Sequence, residues 1–363
     1  MAYTTNWDQV SASATNFHIP KLIDNFFLSN AFLYRLKGRQ KEWEGGPVLV
    51  VPLGFAPEGG GGSWYAGADK FDTTIRNPIK AANYFAKNAQ VTLAIDSDEE
   101  LAVKGPRQVL SLVDSKMTIA ENTMVDLVGT NLYNNGTNQK AIGGLQFALP
   151  GNIQTVPQTY GGITCGGSAP ALDTNGWWQG GADNTEYSTG NAGTFMITTP
   201  GTNPLSAAMS RAGLRAGATN MPTLILSNWG AWTDYHNSLA KNERYDRPQQ
   251  GTDLAKAGFT NLMYRNAPWV VDERAPRGAT NVLNPGAGVD SGLVAFECVY
   301  GICEKSLSLY YHPQRNFSFD GWRKAYDQDV RAGYIFHRTE LCMNQRRGSF
   351  VISKVDTGKS LAP

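Results

Sequence analysis

The sequence predicts an α+β fold, and three observations predict it. A single apolar stripe at helical spacing, from Val109 to Leu132, marks one long helix. Before it lies a long strand-like hairpin with an unbroken glycine tip at Gly59, Gly60, Gly61 and Gly62. After it, a loop-rich middle gives way to a strand-rich C-terminal stretch.

Taken in order, residues 1–40 read as an arm with short helical pieces. Residues 19–30 (IPKLIDNFFLSN) hold enough apolar side chains to dock but too few to form a core. The outgoing limb of the hairpin runs from Val48 to Pro57 and would span about 35 Å fully extended. In the return limb Val91, Leu93 and Ile95 alternate with Thr92 and Ala94, the period of a half-buried strand. Glycines at the tip pack nothing and lose much entropy on ordering, and an isolated two-stranded arm is marginal in water. The arm is therefore expected to be held from outside, by another copy of the chain.

Gly105 and Pro106 open the long helix, where proline suits the first turn. Its stripe comprises Val109, Leu112, Val113, Met117, Ala120, Met124, Leu127, Val128 and Leu132, and the Asn134, Asn135, Gly136 run stops it. At 1.5 Å per residue the rod is roughly 40 Å long, about twice a typical globular helix. Residues 143–203 are rich in Gly, Thr, Asn and Pro and read as long loops with short strands. A short helix over 205–214, a strand at 223–227, a helix through Trp232, Tyr235 and Leu239, and a buried strand at 267–273 follow. Alternation at Leu307, Leu309 and Tyr311, and again around Val351, marks the closing strands.

Charged residues are 17% of the chain, and 32 Lys and Arg against 31 Asp and Glu leave a formal charge of +1. That balance argues against a dedicated nucleic-acid binder. Residues 1–5 show neither the basic nor the apolar region of a signal peptide, and no run is long enough to span a membrane as a helix. Cys165, Cys298, Cys303 and Cys342 lack CxxC spacing and are expected to be buried structural thiols from a reducing cytoplasm.

Chemistry-bearing patterns are sparse. Asp356, Thr357, Gly358, Lys359 and Ser360 imitate a phosphate loop, but Ser353 stands where its first glycine belongs and no helix follows. Gly286 and Gly288 lack the third glycine of a dinucleotide turn. His18, His236, His312 and His337 form no metal-ligand spacing. Asp96, Asp98, Glu99 and Glu100 lack the calcium-loop pattern and read as a solvated turn that complements the helix start. Trp177 and Trp178 fit either a sugar platform or packing against a neighbouring loop. No catalytic, cofactor or metal residue is assigned, and the chain is read as a non-enzyme.

In their order, several stretches resemble the major capsid proteins of tailed bacteriophages, whose fold is the Hong Kong 97 type shared with encapsulins. They are residues 45–53 (GGPVLVVPL), 63–69 (SWYAGAD), 222–228 (PTLILSN), 258–262 (GFTNL), 267–273 (APWVVDE), 328–333 (QDVRAG) and 346–352 (RRGSFVI). The resemblance implies an N-terminal arm over 1–42, an extended loop over 43–104 and a spine helix over 105–136. It further implies an axial domain over 137–303 and peripheral return strands over 304–363. The hairpin tip with Gly59, Gly60, Gly61, Gly62, Trp64 and Tyr65 would lie between subunits, and Lys70 and Lys80 are candidate loop lysines for the cross-link to an asparagine of another subunit that some members form. The implied partners are the chain itself in hexamers and pentamers, a scaffolding protein, a portal, a cement protein and packaged double-stranded DNA in non-specific contact. The implied location is the virion, after synthesis in the bacterial cytoplasm. Two other readings stand beside this one: an encapsulin-like compartment subunit, and a carbohydrate-binding or carbohydrate-active protein using Trp177 and Trp178.

Overall fold

The computed structural model describes residues 30–56, 63–71, 74–102, 106–151, 157–166, 176–183, 204–239, 261–278, 296–324, 326 and 328–356. Most of the N-terminal arm, the four tip glycines, Gly286 and Gly288, and residues 357–363 lie outside that set. The chain enters through helix α1 (Ala31–Lys37) and strand β1 (Gln40–Glu42), then forms β2 (Leu49–Gly54), β3 (Ile79–Tyr84) and β4 (Lys87–Asp96). Helix α2 (Ser97–Ala102) leads into the 26-residue α3 (Pro106–Asn131), close to the length its stripe predicts. Next come α4 (Leu145–Ala148), β5 (Gln158–Tyr160), β6 (Ile163–Cys165), β7 (Gly181–Asp183), α5 (Pro204–Ala216), β8 (Leu224–Ser227) and α6 (Trp229–Leu239). Strands β9 (Asn261–Tyr264), β10 (Ala267–Val271), β11 (Arg277–Gly278), β12 (Phe296–Ile302), β13 (Leu307–Tyr311), β14 (Ser318–Lys324), β15 (Val330–Met343) and β16 (Phe350–Asp356) complete it.

Two main sheets organise these strands. In the first, the 14-residue β15 is the axis. β4 runs antiparallel along one side of it, from Lys87 opposite Thr339 to Asp96 opposite Val330. β13 and then β14 run along the other side, and β1 adds in parallel to β13. Helix α3 lies on this sheet, burying Met124, Val128 and Leu132 in one core with Leu93 and Ile335. The second sheet has the order β7-β16-β12-β8-β10-β9, with β11 beside β12. Helices α5 and α6 cover it, and Leu205, Met209, Tyr235, Trp269, Val299 and Phe350 share a second core.

Local causes are visible at the element ends. Gly136 has φ +81°, and a Cβ there would come within 2.3 Å of the Phe147 ring. Only glycine lets the chain leave α3 and bring α4 beneath its last turn, where the Leu145 amide donates to the Leu132 carbonyl at 2.7 Å. Helix α1 starts on Asn30, whose side chain accepts from the Leu33 amide. The buried Asp272 carboxylate also accepts from the Phe32 amide at 3.1 Å, which fixes the entering chain to the end of β10.

Three expectations change. The alternating residues Val91, Leu93 and Ile95 do form a strand, but β4 pairs with β15, while β3 is the strand that pairs with β2. The acidic run is not a solvated turn: residues 97–102 are helical, and the Glu99 carboxylate pairs with Lys116 of α3. A short helix lets Glu99 reach the flank of α3, where charge neutralisation favours both groups. The hairpin base also has support within its own chain, from Leu53, Ala82 and Tyr84, all buried. The four cysteines are free and buried, as expected.

Candidate assembly site

The hairpin β2–β3 is the feature that the rest of the chain positions. Its register sets Leu49 opposite Tyr84 and Gly54 opposite Ile79. At the base, the Tyr84 hydroxyl donates to the Met343 carbonyl at 2.9 Å, and its ring meets the Tyr160 ring edge-on at 5.5 Å. The Asn83 amide donates to the Gly161 carbonyl at 2.9 Å, so the β5–β6 turn is pinned to the hairpin. Gly161 allows this approach: it has φ +60°, and a Cβ would stand 3.1 Å from that of Ala82.

Above the base, Phe55 stacks on Trp177 at 5.3 Å and 25°. Lys80 is half-buried, with its ammonium 5.2 Å from the centre of the Phe55 ring. Beyond this point the described residues are exposed. Trp64 is 103% exposed and Ile75 98%, while Tyr65 and Phe71 touch only edge-on at 5.1 Å. Lys70 is exposed beside them. The Asp69 carboxylate accepts from the Ala66 amide at 2.9 Å and closes a turn around Gly67, φ +56°. Trp64, Tyr65, Phe71 and Ile75 are thus large apolar side chains left in water.

Trp177 and Trp178 do not make a sugar platform. Trp178 is 1% exposed and donates its Nε1 to the Tyr160 carbonyl at 3.1 Å. Its ring and that of Tyr160 flank Arg346, whose guanidinium carbon is 5.8 Å and 5.1 Å from the two centroids. Arg346 is fully buried, with Nε donating to the Ala148 carbonyl at 2.6 Å and Nη1 to the Cys165 sulfur at 3.2 Å. It ties α4, β6 and the tryptophan turn to the link between β15 and β16. The sequence offered no sign of this, because its partners lie 181 and 198 residues away.

Two buried titratable groups lie on β15. Burial pushes the Glu340 carboxyl up to about 8, while its Oε1 accepts from the Gly143 amide at 2.9 Å. Burial pushes the His337 imidazole down to about 4, with the Phe317 ring 4.7 Å away. Among the described residues no group of three His, Cys, Asp or Glu side chains could hold a metal, and no helix is long and apolar enough to cross a membrane.

A β-hairpin followed by a long helix packed on a sheet, with a second sheet-and-helix unit beside it, is the Hong Kong 97-type capsid fold. Solved structures across nearly the whole chain share it. The cyanophage A-1(L) capsid subunit has a TM-score of 0.63 at 14% identity, covering 94% of this chain and 96% of that one. The capsid of a native GTA particle gives 0.55 at 8% identity, over 97% and 99%. The holo-SrpI encapsulin of Synechococcus elongatus PCC 7942 gives 0.54 at 11% identity, over 99% and 98%. No protein-family model and no curated protein matches the chain.

Proposed function

We propose that the chain is the major capsid protein of a tailed double-stranded DNA bacteriophage, assembling into the closed head shell. The observation that carries this reading is the hairpin: braced at its base, bare at its outer end, and set in a fold whose solved examples above are shell subunits. A chain that displays Trp64, Tyr65, Phe71 and Ile75 to water gains by covering them against another copy. Many such modest contacts, repeated by symmetry, stabilise a shell without any active site.

In this reading residues 1–42 are the arm, 43–104 the extended loop, 105–136 the spine, 137–303 the axial domain and 304–363 the peripheral return. Hexamers and pentamers of the chain form the shell, built with a scaffolding protein and a portal, and with a cement protein where one is present. The enclosed DNA touches the shell without sequence preference, and synthesis takes place in the bacterial cytoplasm. An encapsulin-like compartment shares the fold, and the higher similarity to the cyanophage subunit favours the virus.

Electron microscopy of the purified protein, expressed alone and with its genomic neighbours, tests the proposal. Closed shells tens of nanometres across are expected, holding DNA when recovered from infected cells. A subunit that stays monomeric under every condition would refute it, and shells loaded with a protein cargo in place of DNA would favour the compartment.

A further inference from the structure

β4 is a ten-residue strand paired on one side only among the described residues, by β15. Unpaired strand edges are templates for another chain, and proteins blunt the ones they do not use, often with lysine. One end of this edge is blunted in that way. Lys116 donates its Nζ to the Ala94 carbonyl at 3.1 Å while it pairs with Glu99.

At the other end no strand covers the free side of β4 among the described residues. Residues 87–90 form one wall of a groove of about 210 Å³, closed by the last turns of α3 and by residues 138–142. Leu127, Val128 and Ile142 give its lining apolar area, Asn131 and Asn138 supply amide groups, and Lys87 and Lys140 are its charged residues. Among the described residues neither lysine makes an ion pair, and no carboxylate lines the groove. Glu340 on β15 acts on Lys87, but it is buried, its Oε1 is taken by the Gly143 amide, and it does not line the groove. The volume is below that of a pocket for a drug-sized ligand and suits one or two side chains of an extended segment.

We propose that this groove takes an extended acidic segment of a separate partner protein, which adds as a strand to the open end of β4 and sets its carboxylates against Lys87 and Lys140. Main-chain hydrogen bonds to the edge supply affinity, and the two lysines supply sign selectivity. The inference does not depend on shell formation.

The test uses the full-length protein and two capped, fluorescein-labelled peptides, Glu-Val-Glu-Val-Glu and Lys-Val-Lys-Val-Lys, read by fluorescence anisotropy. The acidic peptide should bind at least about fivefold more tightly, and the K87E/K140E variant should reverse the order. Deuterium exchange at residues 87–90 should slow when the acidic peptide is added. If the reversal variant fails to fold, K87Q/K140Q should lose the preference while keeping the native circular dichroism spectrum. Equal binding of both peptides, no binding, or unchanged exchange at 87–90 overturns the proposal. So does a K87E/K140E variant that keeps its preference for the acidic peptide, or one that loses self-association while wild-type protein binds neither peptide, because a second copy would then be the occupant. Micrographs of the same samples read shell formation separately.

Discussion

Glu340 and His337 lie three residues apart on β15, and burial moves their titrations in opposite directions. Folded Glu340 holds its proton up to about pH 8, whereas an unfolded glutamate releases it near 4.3. Between those values the folded state binds more protons than the unfolded one, so stability falls as pH rises, by up to about 1.4 kcal/mol per unit. Glu340→Gln keeps an acceptor for the Gly143 amide and removes the titration. Urea unfolding at pH 5 and pH 9 should show a variant that matches the wild type at the lower pH and exceeds it at the higher. An unchanged slope would mean that Glu340 is ionised in the fold. His337 has the opposite sign: its folded value of about 4 lies below the unfolded 6.5, so stability is lost as pH falls through that window. His337→Phe keeps a ring against Phe317 and should flatten the acid side of the profile, measured as Tm at pH 4.5 and 7.

At the scale of elements, the base of the hairpin is held by side chains from distant parts of the chain. Trp177 reaches it from a turn more than a hundred residues further along the chain and stacks on Phe55. An aromatic pair of this kind contributes about 0.5–1.5 kcal/mol beyond its buried area. Trp177→Ala should therefore speed amide exchange at residues 49–54 and 79–84 by roughly tenfold while leaving β4 unchanged. Equal acceleration in β4 would show that the two strands open as one unit. That distinction was illegible in the sequence. The alternation at Val91, Leu93 and Ile95 identifies a strand but names no partner, and the partner begins at Val330. Helix α3 was legible because its stripe and both of its ends are local signals. The Trp177 and Trp178 pair was visible as an oddity, but its meaning required Phe55, Tyr160 and Arg346 to be brought together by the fold.

For the whole molecule, the described residues place most large apolar side chains in two cores and leave others in water, Trp64 and Ile75 of the hairpin among them. On the subunit contact proposed above, stability and assembly are separable, because Trp64 and Ile75 belong to neither core. Their exposure of 103% and 98% leaves them almost nothing to lose in the isolated subunit. A Trp64→Ser, Ile75→Ser double variant should hold its unfolding free energy within about 0.5 kcal/mol of wild type, as surface substitutions generally do. The same variant should fail to close shells, or close them only at higher protein concentration, because interface energy concentrates in buried aromatic anchors and Trp64 is the largest exposed aromatic among the described residues. Sedimentation velocity gives the shell fraction and urea unfolding gives the subunit stability, so the two effects can be read on one preparation. Normal shells from the double variant would move the subunit contact away from this end of the hairpin. A large loss of stability would instead mean that these side chains already pack within their own subunit.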